Sequence, residues 1–137
     1  MIVLDTHALV WLIDGDDKLG NVARALIEDA RAEEGAFVSS ITPWEISMLV
    51  DKGRLHLAMP VDEWMDFVFE ADGMRLAPLE HALGVDAGRL PGTIHGDPAD
   101  RIVIATARAL RYPLLTSDQK ILRYAKEGHV RVIDAEK

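Results

Sequence analysis

The sequence predicts an α/β fold: one three-layer domain with a five-stranded parallel sheet flanked by helices. Short, β-rich apolar runs alternate with longer stretches of helical spacing, and that alternation implies a parallel sheet covered on both faces. The chain of 137 residues suits one domain, and a chain of that size buries roughly two-thirds of its unfolded surface. No internal repeat, low-complexity segment or linker divides it, so residues 1–137 read as a single domain.

Met1 to Leu4 is short and apolar, as a buried strand requires. Thr6 to Ile13 has helical spacing through Ala8, Leu9, Trp11 and Leu12, and Gly15-Asp16-Asp17 is a loop. Leu19 to Ala32 is a second amphipathic helix, with Val22, Ala25, Leu26 and Ala30 expected on its buried stripe. Gly35 precedes the second strand, Ala36 to Ser39. Thr42-Pro43-Trp44-Glu45 opens the next helix: Thr42 is the expected cap, Pro43 the first helical residue, and Glu45 the completion of a capping box. That helix runs to about Lys52 and stops at Gly53.

Val61 to Ala71 is amphipathic through Trp64, Met65, Val68 and Phe69. Met74 to Ala77 is the third strand, Leu79 to about Ala87 a helix, and Leu90 to Gly96 a loop. Asp97 caps the following helix, with Pro98 first and Asp100 third; its run of Ile102, Val103, Ile104, Ala105 and Ala107 marks it as well buried. Leu114 to Thr116 is the fourth strand, Ser117 or Asp118 caps a short helix to Lys126, and Val130 to Ile133 is the fifth strand.

Composition narrows the function. The hydrophobic fraction is 49%, yet no run is long enough to cross a bilayer. The opening stretch has no basic region and is interrupted by Asp5, unlike a signal peptide. Without cysteine there are no disulfides or thiolate sites, and a reducing cytoplasm is the expected compartment. The net charge of −8 argues against broad, nonspecific nucleic-acid binding. Its distribution is uneven. Residues 1–100 carry 7 Lys+Arg and 19 Asp+Glu, whereas residues 101–137 carry 8 and 4. The basic third includes Arg101, Arg108, Arg111, Lys120, Arg123, Lys126 and Arg131, either a set of solvated helix faces or a phosphate- or partner-facing patch.

Four acids stand where a parallel sheet brings chain segments together: Asp5 after the first strand, Glu45 and Asp100 just inside helices, and Asp118 after the fourth strand. Carboxylates at the C-terminal ends of strands and the N-terminal ends of helices can converge on one crevice. Each acid has a plainer use as a helix cap or turn residue. Two strand-end carboxylates in one sheet are harder to explain by capping, because burial without a partner is costly and like charges raise pKa values. A hard divalent cation, Mg²⁺ or Mn²⁺, removes that penalty. The helix N-termini at Glu45 and Asp100 are expected to help keep those two groups ionised.

Such a site suits phosphodiester hydrolysis, in which one or two ions, about 3.5–4 Å apart when paired, lower the pKa of a bound water. The expected roles are Asp5 as anchor of the metal, Asp100 and Asp118 as further ligands, and Glu45 as ligand or water-orienting group. Thr6, Thr116 and Ser117 offer hydroxyls, Asp97 is a cap that supports the ligands from behind, and Arg101 is a phosphate contact or a surface ion pair. His7 and His95 flank the acids. His56, His81 and His129 have no ligand spacing, which argues against zinc. Trp11, Trp44 and Trp64 lie on apolar helical stripes and read as core or interface.

These residues resemble a known family. Ile2-Val3-Leu4-Asp5-Thr6-His7-Ala8-Leu9-Val10-Trp11, Val38-Ser39-Ser40-Ile41-Thr42-Pro43-Trp44-Glu45-Ile46, His95-Gly96-Asp97-Pro98-Ala99-Asp100-Arg101 and Leu114-Leu115-Thr116-Ser117-Asp118 follow in order and at the spacing of a PIN domain. The chain closely resembles the VapC toxins of bacterial type II toxin–antitoxin pairs. Gly96 and Ala99 depart from the pattern, standing where related chains often carry larger residues. The resemblance implies a sheet with the first strand central and the fourth beside it. It also implies Mg²⁺- or Mn²⁺-dependent ribonuclease activity on a tRNA or rRNA stem-loop, a homodimer, and a VapB-like antitoxin as inhibitor.

Two other readings compete. An aspartate-based phosphatase of the haloacid-dehalogenase type also places Asp after its first strand, but in an Asp-x-Asp-x-Thr motif; here the run is Asp5-Thr6-His7-Ala8-Leu9. The other is a binding module that acts through a partner or promoter DNA, with the acids serving only as caps.

Overall fold

The computed structural model describes residues 1–94 and 96–137. The expectations for His95 lie outside the described residues. Five strands form one parallel sheet: β1 (Ile2–Leu4), β2 (Ala36–Ser39), β3 (Met74–Ala77), β4 (Leu114–Thr116) and β5 (Val132–Asp134). Their spatial order is β3-β2-β1-β4-β5, so β1 is central and β4 lies beside it. The helices among the described residues are α1 (Thr6–Asp14), α2 (Asn21–Ala32), α3 (Thr42–Asp51), α4 (Val61–Glu70), α5 (His81–Gly88), α6 (Pro98–Leu110) and α7 (Gln119–Ala125).

Alternation along the strands creates two cores. Ile2 and Leu4 of β1, with Ala36, Val38 and Leu115, pack against Leu9, Ala23, Ile27, Ile46, Trp64 and Val68 from α1 to α4. Val3 and Leu114 point the other way, onto Val103, Ile104, Ile121 and Tyr124 of α6 and α7. β1 and β4 are therefore buried on both faces, which explains their unbroken apolar runs. The result is the expected three layers. No described helix is long and apolar enough to cross a membrane.

Some local expectations need correction. The buried stripe of α2 is Ala23, Ile27 and Ala30; Val22 and Ala25 face solvent. The spacing i, i+4, i+7 through small residues seats that helix against β1 and β2, and Val22 sits outside it. Thr42 is not the cap of α3. The cap position falls at Ile41, and the Thr42 hydroxyl turns towards Thr6 instead. Trp44 is 52% exposed and so is not core; only Thr42 and Ile46 of α3 are buried, and Trp44 lies between them in sequence on the other side of the helix. Trp64 is core, and Trp11 packs on its edge. α5 begins at His81 rather than Leu79, and β5 begins two residues after the buried Val130.

Candidate acidic centre

Every strand of a parallel sheet runs the same way, so the residues that follow β1 and β4 emerge at one edge. Asp5 follows β1 directly and is the N-cap of α1. Its backbone N–H donates to the Leu115 carbonyl of β4. One carboxylate oxygen accepts from the Thr6 N–H at 2.8 Å, and the other accepts from the Thr116 hydroxyl at 2.6 Å. Asp5 is thus buried with both oxygens partnered, the condition under which a buried carboxylate is tolerated.

Thr116 extends the link. Its hydroxyl oxygen accepts from the Asp118 N–H at 3.0 Å. Asp118 in turn caps α7, accepting from the N–H groups of Lys120 and Ile121 at 2.8 and 3.1 Å. On the β2 side, the buried Thr6 hydroxyl donates to the Glu45 carboxylate and stands 3.5 Å from the Thr42 hydroxyl. At the start of α6, Asp97 is the expected N-cap and accepts from the Asp100 N–H at 2.8 Å. Glu45, Asp97 and Asp100 each bring a carboxylate oxygen to within 4.8 Å of the others. Asp97 thereby stands in line with the acids instead of behind them, a placement that its capping position in the sequence had obscured.

The electrostatics are those of negative charge held without counter-charge. Asp100 is pushed up to about 7, first by burial, then by Asp97, Asp5, Asp118 and Glu45. Burial also raises Glu45, with Asp5 and Asp97 adding repulsion against the Thr6 hydrogen bond. Asp5 is raised by burial, opposed by its bonds from Thr116 and Thr6. The expected rise from like charges is present, although burial is the larger cause. Without a cation, desolvation is the largest cause at both Glu45 and Asp100, and the neighbouring carboxylates add to it.

The remaining sequence candidates divide. Thr6 and Thr116 belong to the hydrogen-bonded frame. Ser117 is partly buried between Thr116 and Asp118. Arg101 forms no ion pair among the described residues. Its guanidinium donates to the carbonyls of Ala87, Ile94 and Gly88, tying the end of α5 and the following segment to α6. His7 is exposed beside the acids and eases the charge on Asp5 and Glu45. Gly96 leaves room here, because a Cβ would come within 3.2 Å of Arg101 and 3.4 Å of Asp100.

A three-layer sheet in this strand order, with acids after its first and fourth strands and at the starts of α3 and α6, defines a class. The PIN domain family model matches residues 2–127, and the chain belongs to that family. Among individual proteins, it is 32% identical over 120 residues to Ribonuclease VapC22 of Mycobacterium tuberculosis (strain ATCC 25618 / H37Rv), which spans 88% of each chain. Two solved structures share the fold at 16% identity. One is VapBC2 from Rickettsia felis bound to a DNA fragment from its promoter, with a TM-score of 0.68 over 97% of this chain and 98% of that one. The other is a toxin–antitoxin complex from Klebsiella pneumoniae, with a TM-score of 0.63 over 98% of each chain.

Proposed function

We propose that this protein is a metal-dependent endoribonuclease of the VapC kind, cutting RNA phosphodiester bonds and restrained by an antitoxin. The observation that carries the reading is the convergence of Glu45, Asp97 and Asp100 with Asp5 and Asp118 close enough to raise the Asp100 pKa. The 32% identity to a protein named as a ribonuclease supports it. So does membership of the PIN family, which favours it over an aspartate-based phosphatase. We read residues 1–137 as one domain, since the single sheet takes strands from residue 2 to residue 134.

The donor set fits a hard divalent cation: carboxylate oxygens, no thiol, and no Lys or Arg paired with any of the five acids among the described residues. Asp5, Glu45, Asp100 and Asp118 would hold Mg²⁺, or Mn²⁺ in its place, with Asp97 completing the cluster. When bound, the ion supplies Lewis acidity and an activated water. The chain's own residues set the rest. Thr116 and the Thr6 N–H hold Asp5 in one orientation, and the Thr6 hydroxyl does the same for Glu45. Asp100, pushed up to about 7, is the group able to carry a proton near neutral pH, and Glu45 is raised in the same direction. Thr6, Thr116 and Ser117 are hydroxyls within the same edge of the sheet.

The substrate on this reading is a tRNA or rRNA stem-loop, met in the cytoplasm, and the active form is a homodimer. The VapB-like antitoxin is supported by solved neighbours that are toxin–antitoxin complexes. Trp44 supports it too, being exposed directly beside Glu45, in a groove lined by Met48, Val50 and Val61 where an apolar segment can cover the site's flank. The test is incubation of total cellular RNA with purified, antitoxin-free protein, in Mg²⁺ or EDTA, beside Asp5→Asn. Discrete fragments that need both the metal and Asp5 are expected. Cleavage that survives EDTA and Asp5→Asn contradicts the reading.

A further inference from the structure

The basic third of the chain separates into two groups in the structure. Arg101 and Arg108 are half-buried and engaged. Arg101 holds three backbone carbonyls, while Arg108 pairs with Asp86 at 2.9 Å and donates to the His129 carbonyl. Lys120 and Arg123 are exposed on α7, and neither side chain forms an ion pair or hydrogen bond among the described residues. They are also the cations closest along the chain to Asp118. Lys120 lies two residues on, and its N–H donates to the Asp118 carboxylate.

These two cations line one cavity of about 350 Å³, together with Thr93, Ile94, Tyr124 and Glu127. The walls are built. The segment from Pro91 to Ile94 has no regular secondary structure, yet it is tied at three points: the Tyr124 hydroxyl donates to the Pro91 carbonyl, Arg101 donates to the Ile94 carbonyl, and Thr93 donates to Glu127 through both its N–H and its hydroxyl. Those Thr93 bonds hold the Glu127 carboxylate to the wall, and Lys120 and Arg123 together outweigh its single negative charge in the lining. Ile94 and Tyr124 supply apolar surface to the same cavity. One wall of the cavity, Thr93 and Ile94, precedes Asp97 in the chain, and the other is on the helix that Asp118 caps.

We propose that this cavity is a nucleotide subsite, in which Lys120 and Arg123 bind an RNA phosphate flanking the scissile bond and the Ile94–Tyr124 wall receives the attached sugar or base. The proposal rests on the ribonuclease reading. A centre of five carboxylates repels a polyanion, and cations one helical turn away supply the attraction that keeps the backbone in register. A cavity of this size is at the lower end of ligand-sized pockets, which run from about 300 to 1,000 Å³.

The test uses Lys120→Gln, Arg123→Gln and the double variant, with Lys52→Gln/Arg54→Gln as a charge-matched control on exposed residues after α3. Fluorescently labelled bulk tRNA is titrated in EDTA, where no cutting occurs, and cleavage of the same tRNA is followed in Mg²⁺. The double variant is expected to bind about tenfold more weakly, with a salt slope lower by about 0.7 per removed charge, through KM more than kcat. Lys120→Arg is expected to retain binding, and Mn²⁺ affinity to be unchanged in every variant. If the double variant binds and cuts as the wild type does, or the control loses as much, the subsite is overturned while the ribonuclease reading stands. If poly-glutamate binding is lost and tRNA binding is not, the cavity receives an acidic peptide and the proposal fails. If the wild type neither binds nor cuts tRNA and also leaves total cellular RNA intact in Mg²⁺, both fall. Should Arg123→Gln impair folding, the exposed Lys120→Gln alone decides.

Discussion

The Thr116 hydroxyl stands 2.6 Å from Asp5 Oδ2 and also accepts from the Asp118 N–H at 3.0 Å. One oxygen atom therefore fixes two carboxylate-bearing residues from adjacent strands. Its position follows from the register of β1 on β4, which pairs Leu4 with Leu115 and so sets Thr116 beside Asp5.

Removing that hydroxyl with Thr116→Val leaves a buried Asp5 oxygen and the Asp118 N–H without their partner. A loss of about 1–3 kcal/mol is expected, because an unsatisfied buried polar group keeps its full desolvation cost. Thr116→Ser retains the hydroxyl and is expected to recover most of it. Urea denaturation of the two variants against wild type measures both. Equal midpoints for Val and wild type would show that the bond contributes nothing.

The pH dependence has a definite sign. Asp100 ionises near 7 in the folded chain and at 3.8 as a free group, so between those values the folded state binds the proton that the unfolded state has released. Its contribution to stability is full below 3.8 and is lost as pH rises through about 7. Asp5 and Glu45, also raised, act in the same direction. Metal-free protein is expected to melt at a higher temperature at pH 5.5 than at pH 8, and Asp100→Asn to flatten the difference. Saturating Mn²⁺ is expected to raise the pH 8 value most, since the cation needs the ionised carboxylates. A metal-free melting temperature that climbs from pH 5.5 to pH 8 contradicts this.

Asp97 combines two uses that substitution can separate. Asp97→Ala removes the cap of α6 and is expected to cost about 1 kcal/mol. Asp97→Ser keeps an oxygen for the Asp100 N–H while deleting the charge, so its melting temperature is expected near that of wild type. If Asp97 also belongs to the metal cluster, both variants weaken Mn²⁺ binding alike. A Ser variant with wild-type affinity reduces Asp97 to a cap.

Much of this was legible in the chain. The five strands and the acids after β1 and β4 follow from apolar runs and punctuation, and the central place of β1 with β4 beside it follows from the family resemblance. β2, β3 and β4 fall where the sequence predicts, since each is bounded by Gly, Ser, Pro or a helix start. What the sequence could not convey depends on side-chain direction in three dimensions. Thr42 looks like a cap, yet the Thr6 hydroxyl opposite β1 draws it inward. Arg101 follows an acid and looks like a surface ion pair or a phosphate contact, and the sequence gives no sign that its guanidinium holds the carbonyls of Ala87 and Gly88 at the end of α5 and of Ile94 beyond it. Asp97 looks like a cap and is one, but only the approach of α3 reveals Glu45 beside it. That burial is the largest cause of the raised pKa values at Glu45 and Asp100 is likewise a property of packing.

The central claim is that these carboxylates form one site for a divalent cation. The most direct measurement is Mn²⁺ binding at pH 8, followed by electron paramagnetic resonance or calorimetry, for wild type and for Asp5→Asn/Asp118→Asn. Saturable binding by the wild type that falls at least tenfold in the double variant, with the fold retained, is the predicted result. Equal affinity in the two proteins, or no saturable binding in either, would contradict it.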